Sequence, residues 1–233
     1  MTSLRVLSTL AVMGAMRDLT AQYERETGTP VEADFAPTVA LLDRLRAHEA
    51  ADIAILTAQG IDDLTREGVI RPGSRSDVAL SFVGIAAKAG ARKPDIATVD
   101  ALKAALLSAR SVAYSRIGAS GIFFAGLIER LGIAAEVNAK AIVVPSGFTA
   151  EPVANGEAEL AVQQISELMV VSGIEVVGPL PADIQTAATF SAGILVGSEQ
   201  AEVASTFLRF LASPAVAPVL RRAGLQPAAV IAP

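Results

Sequence analysis

The sequence predicts an α/β fold of two lobes joined by a double crossover, and three observations carry that prediction. From Leu4 to Gly68, apolar runs alternate with helix-period stripes in a βαβα rhythm, which is the pattern of a parallel sheet covered by helices. A second βα series occupies residues 98–164. Two longer apolar runs, 78–88 and 185–196, link the series and read as hinge strands. The expected lobes are residues 1–80 with 195–233, and residues 81–194 including the hinge strands, with mixed and mostly parallel sheets.

Each element follows from its local pattern. Leu4–Leu7 reads as a buried strand. Met13, Met16, Leu19 and Tyr23 then mark one face of a helix that Gly28 stops. Val31–Phe35 is a strand, a helix runs from Thr38 with Leu41, Leu42 and Leu45 on one face, Asp52–Leu56 is a strand, and Ile61–Glu67 is a short helix ending at Gly68. After the run from Val78 and the polar stretch Gly90–Asp95, the pattern gives helix 98–109, strand Ser111–Tyr114, helix Ser120–Leu131, strand Ala141–Val144, helix 149–155 and strand Leu160–Gln164. The run 185–196 precedes a helix over Glu199–Leu211 and another over Ala215–Ala223. The Pro/Ala-rich tail 225–233 reads as loose.

Composition narrows the chemistry. Of 233 residues, 52% are hydrophobic and 18% charged, which suits a compact, well-buried protein. Zero cysteines exclude disulfides, thiolate metal sites and cysteine nucleophiles together. A net charge of -5, with no basic cluster interleaved with aromatics, argues against nucleic acid. Charges or Gly, Pro, Gln and Ser interrupt every apolar stretch before it reaches bilayer length, so no membrane insertion is expected. No His/Cys/carboxylate set has metal-ligand spacing and no phosphate-loop lysine motif occurs, so neither a metal nor another cofactor is expected. Met1–Arg5 runs straight into the first strand without a signal-peptide pattern. The expectation is a cytoplasmic chain, or a periplasmic one if a signal peptide was removed.

What the sequence advertises is anion recognition. Small-residue and hydroxyl turns stand where apolar runs hand over to helices: Ser8-Thr9-Leu10-Ala11, Ala36-Pro37-Thr38-Val39, Ser115 to Gly121, and Pro145-Ser146-Gly147-Phe148-Thr149. Unpaired N–H groups and the positive dipole end of a helix favour an anion there. Each candidate also has a plain structural reading. Thr38 is either a ligand contact or an N-cap. Ser120-Gly121 is either an anion contact or a cap with a tight turn, and Ser8 and Thr9 are either strand-end ligand residues or local bonding groups. Arg116 either pairs with a carboxylate or is a solvated loop charge. Of Gln163 and Gln164, strand alternation aims only one at a ligand. His48 follows a charged helix end and reads as a surface residue.

These residues resemble the periplasmic molybdate-binding proteins of ABC transporters, and more broadly the type II periplasmic solute-binding fold. The resemblance spans nearly the whole chain. It rests on Val6–Ala11 with Gly14-Ala15-Met16, Phe35–Thr38, Ala51–Ile55, Ala119–Ile122 and Asn155–Gln164. It implies a small anion held in a cleft between two lobes, and an ABC-transporter permease as partner. It places Ala11 and Thr38 at the two lobe-one hydroxyl positions, Ser120 at the backbone-donor position and Gln164 at the tyrosine position. Alanine for a buried hydroxyl leaves an oxyanion oxygen short of a partner, at about 1–3 kcal/mol, so altered specificity is expected. Proteins resembling isomerases of unsaturated tricarboxylates such as aconitate share this family. Allylic isomerisation needs a base and a cradle for a dienolate, and Glu167 and His48 are the candidate bases. Three functions therefore follow: a receptor for a small anion, an aconitate-isomerase-like enzyme acting on a di- or tricarboxylate, or a ligand sensor.

Overall fold

The structure, a computed structural model, describes residues 3–228. Its chain divides into two compact units, residues 1–81 with 188–233, and residues 82–187.

The first unit opens with β1 (Leu4–Thr9), a 3-10 turn (Leu10–Val12) and α1 (Met13–Thr27), which Gly28 ends in the left-handed conformation at φ 73°. A residue without a Cβ adopts that conformation at little cost. β2 (Val31–Ala36), α2 (Thr38–Arg46), β3 (Ile53–Thr57), α3 (Ala58–Arg66) and β4 (Ser76–Ser81) follow.

The second unit comprises β5 (Val83–Lys88), α4 (Val99–Ser108), β6 (Val112–Tyr114), α5 (Ala119–Arg130), α6 (Ala134–Ala139), β7 (Ala141–Val143), α7 (Glu151–Asn155), β8 (Leu160–Gln164), α8 (Ile165–Leu168) and β9 (Ile174–Pro179). The chain returns to the first unit through β10 (Ala188–Ile194), α9 (Ala201–Leu211), a 3-10 turn (Pro214–Val216), α10 (Ala217–Arg222) and β11 (Gln226–Pro227).

Sheet one runs in the order β11-β4-β10-β3-β1-β2 and sheet two in the order β7-β6-β8-β5-β9. Both are mixed. The βα strands pair in parallel (β1 with β2 and β3, β6 with β7 and β8), whereas β4, β5, β9, β10 and β11 pair antiparallel. The antiparallel share is thus larger than the βα rhythm suggested, because the strands at both crossovers run against their neighbours.

Alternation explains why the central strands read as unbroken apolar runs. Ile53 and Ile55 join the core beneath α1 and α9, while Ala54 and Leu56 join the core beneath α2 and α3. In unit two, Leu160 and Val162 face one core and Ala161 the other. Tyr23 of α1 packs edge-on against Phe207 of α9 at 4.8 Å, which ties the C-terminal segment to the first helix. Among the described residues no single helix is long and apolar enough to cross a membrane.

Three expectations are corrected. The run from Val78 is not one strand: it breaks at Phe82, and β4 and β5 belong to different sheets. The second domain boundary lies at 187/188 rather than 194/195, because Ala188–Ile194 bonds to β3 and β4 inside sheet one. Gln226 and Pro227 are not loose but pair with Leu80 and Ala79, while residues 229–233 of the expected tail lie outside the described residues.

Candidate functional site

The helix starts differ in how their first-turn donors are satisfied. In unit one, the hydroxyl of Thr9 accepts the Ala11 N–H at 3.5 Å and that of Thr57 accepts the Gly60 N–H at 3.2 Å. In unit two, Thr98 serves the Ala101 N–H at 3.1 Å. Such caps occupy a helix's orphan donors internally. α2 and α5 differ. Their N-cap residues are Pro37 and Gly118, and neither start has a side-chain cap.

Thr38 is the first residue of α2 rather than its N-cap, so the capping reading fails. Its residue is 8% exposed, and its hydroxyl makes no hydrogen bond among the described residues. Ser120, the second residue of α5, is 3% exposed and likewise unpartnered. Each helix start therefore presents first-turn N–H groups and an idle, accessible hydroxyl on an otherwise buried residue, which is an anion-binding arrangement.

The registers place the other candidates. Thr9 pairs with Ala36, so the end of β1 adjoins the turn that leads into α2. Ser8 is fully buried and donates to the Thr9 carbonyl at 3.2 Å, and Thr9 is committed to its cap. Both serve the local backbone. Ala11, at the expected hydroxyl position, is buried and lies in the 3-10 turn.

In unit two, Tyr114 pairs with Val143, and the Val144 N–H donates to the Tyr114 carbonyl at 3.0 Å. The loops after β6 and β7 therefore leave the sheet side by side. Gly121 packs on the first of them, where an added Cβ would lie 1.5 Å from the Ser115 carbonyl oxygen. The glycine is required for helix and loop to touch. Arg116, exposed on that loop, donates from Nη2 to Tyr114 Oη and Asn138 Oδ1, both at 3.3 Å. Ser146 is exposed on the second loop.

The two glutamines part company. Gln163 Oε1 accepts from the Thr149 N–H at 2.8 Å and its hydroxyl at 3.1 Å, and Nε2 donates to the Gly147 carbonyl at 3.3 Å. It is a strut for the second loop, its amide used at both ends. Gln164 is 2% exposed; its side chain faces the Glu167 N–H in a capping box, but its Oε1 makes no hydrogen bond of full geometry among the described residues. A buried acceptor held this weakly is costly, and since the Gln163 amide is used at both ends, Gln164 is the better ligand candidate of the pair.

Glu167 on α8 accepts the Gln164 N–H at 3.2 Å. Burial pushes its carboxyl up to about 8, against smaller downward pulls from the Gln164 N–H and the Gln163 amide. His48 is exposed in the turn after α2, held at φ 57°, and lines a separate cavity of about 740 Å³ with Arg5, Asp52 and Gln200. That cavity lies at the opposite end of β1 from Thr9. Sequence reasoning missed Tyr114, Asn138 and the role of Thr149. The visible signal was Tyr114 two residues before Arg116 at a strand end; Asn138 sits on a helix that the pattern did not show. Among the described residues no group of three His, Asp or Glu comes together to hold a metal ion.

Known proteins agree with this architecture. Residues 4–226 match the profile of a family described as bacterial extracellular solute-binding protein. An aconitate isomerase from Pseudomonas sp. is 36% identical over 97% of this chain and 88% of its own length. The periplasmic molybdate-binding protein of Azotobacter vinelandii superposes with a TM-score of 0.81 at 18% identity, covering 96% of this chain and 98% of that one. The sulfate-binding protein of Mycobacterium tuberculosis gives 0.79 at 13% identity, covering 99% and 88%. A periplasmic thiamin-binding protein gives 0.77 at 15%, covering 99% and 85%. At such identities the structural likenesses speak for the fold alone, a periplasmic-binding-protein fold.

Proposed function

The chain belongs to the bacterial extracellular solute-binding protein family, and from that premise we propose that it binds a small anion bearing two or three carboxylates. The observation that carries this reading is the pair of idle hydroxyls on the buried residues Thr38 and Ser120, at the starts of α2 and α5, which have no side-chain cap. Arg116 adds a cation whose planar fork matches a carboxylate. Ala11 and Gln164, in place of a hydroxyl and a tyrosine, argue against a small tetrahedral oxyanion such as molybdate.

Within that class the reading we favour is isomerisation of aconitate, and the similarity to an aconitate isomerase over nearly the whole chain supports it. The reaction takes a proton from the methylene carbon next to the double bond, shifts the electron pair along the allylic system, and returns a proton at the former vinylic carbon. Negative charge grows on the flanking carboxylate in the dienolate, where N–H donors and a guanidinium stabilise it. The proton carrier we assign is Glu167, whose carboxyl titrates near neutrality beside Gln164.

The second reading is a receptor that delivers the same anion to an ABC-transporter permease from the periplasm, which the family description favours. Incubating the protein with trans-aconitate and following cis-aconitate by proton NMR separates the two. Enzyme-dependent formation of the cis isomer supports the isomerase, and saturable binding without conversion supports the receptor. Neither binding nor conversion overturns both.

A further inference from the structure

Arg116 differs from the paired arginines in the kind of group that holds it. Arg44, Arg46, Arg66, Arg75 and Arg110 each meet a carboxylate. Among the described residues Arg116 meets neutral oxygens alone: Nη2 donates to Tyr114 Oη and to Asn138 Oδ1, each at 3.3 Å. Tyr114 Oη in turn donates to the same Asn138 oxygen at 2.5 Å. The guanidinium carbon lies 5.9 Å from the Tyr114 ring centroid. That ring is fully buried and packs edge-on against Phe124 of α5 at 5.2 Å, so the assembly is anchored to the helix that carries Ser120.

From this geometry we infer that Asn138, acting with Tyr114, is a positioning residue that fixes Arg116 as a carboxylate-binding group. The inference rests on the polycarboxylate reading above. A carboxylate at position 138 would hold the arginine equally well but would cancel its charge. An amide oxygen and a phenol hold it while leaving the charge uncompensated, with Nε and Nη1 free for a ligand. Holding an exposed, rotamer-rich side chain in place before binding removes part of the ordering cost of association. Asn138 is itself exposed, and no other interaction of its side chain explains its placement at the end of α6.

The test is a double-mutant cycle read by calorimetric titration with propane-1,2,3-tricarboxylate, an unreactive saturated probe. Asn138→Ala is expected to weaken binding about tenfold in the native background and less than about twofold in Arg116→Gln. Tyr114→Phe, which keeps the buried ring, should show the same pattern. A merely structural Asn138 would weaken both backgrounds equally. Equal losses, or no loss in the native background, overturn the inference while leaving the polycarboxylate reading intact. If Arg116→Gln itself binds the probe as tightly as the native protein, Arg116 is not a ligand group and the inference falls. If the native protein does not bind the probe, the polycarboxylate reading falls and takes the inference with it.

Discussion

The Cα of Gly121 is seated against the carbonyl oxygen of Ser115 so closely that a Cβ would fall 1.5 Å from that oxygen. Backbone atoms on both sides leave nothing flexible to yield. This contact fixes the loop that carries Arg116 against the first turn of α5.

Gly121→Ala is therefore expected to displace the loop, destabilising the protein by about 1–3 kcal/mol as overpacking does. Binding of trans-aconitate should weaken as well. Urea unfolding and calorimetric titration of the same variant check both effects.

The idle hydroxyls predict the opposite behaviour. Thr38→Val and Ser120→Ala remove groups that make no hydrogen bond among the described residues, so unfolding free energies should change by less than about 0.5 kcal/mol. Loss of an N-cap would instead cost roughly 1 kcal/mol. Denaturant melts of the two variants distinguish these outcomes.

Gln163 is expected to behave as structure. Gln163→Leu deprives the Thr149 N–H of its acceptor, while the Thr149 hydroxyl keeps the Val162 carbonyl at 3.1 Å, and a buried donor left unpaired costs about 1–3 kcal/mol. A lowered urea midpoint with unchanged slope is the expected result.

Glu167 sets a pH dependence whose sign follows from its raised titration. The unfolded carboxyl titrates near 4.5 and the folded one near 8. Between those values the native state holds a proton that the unfolded chain has released, so stability is greatest below the window and falls as pH rises through it. The fall is at most about 1.4 kcal/mol per pH unit from this one group. Glu167→Gln, which mimics the neutral form, should flatten the decline between pH 5 and pH 8 in guanidinium melts. Under the isomerase reading the same variant binds propane-1,2,3-tricarboxylate but no longer forms cis-aconitate.

How much of this was legible beforehand depended on the range of the interactions. The βα strands and long helices were visible because alternation and the 3.6-residue stripe are local; β8 falls on Leu160–Gln164, where the apolar run placed it. The assignment of Ala188–Ile194 was not legible, because only its bonds to β3 and β4 decide its sheet. α6 and α8 are too short to carry a period of their own. Thr38 and Ser120 were visible as hydroxyls at helix starts, but only coordinates show that one is not a cap and that both are idle. The division of labour between Gln163 and Gln164 also needed Thr149, whose bond to Gln163 spans 14 residues.

The central claim is that the protein binds a polycarboxylate and that the idle hydroxyls of Thr38 and Ser120 add to the affinity, and it is tested most directly by titrating trans-aconitate into native protein and into the Thr38→Val/Ser120→Ala double variant. The account predicts saturable binding to the native protein and a loss of about a hundredfold in a double variant that melts like the native one. Equal affinity for the two proteins, or native protein that binds molybdate and ignores trans-aconitate, would contradict it.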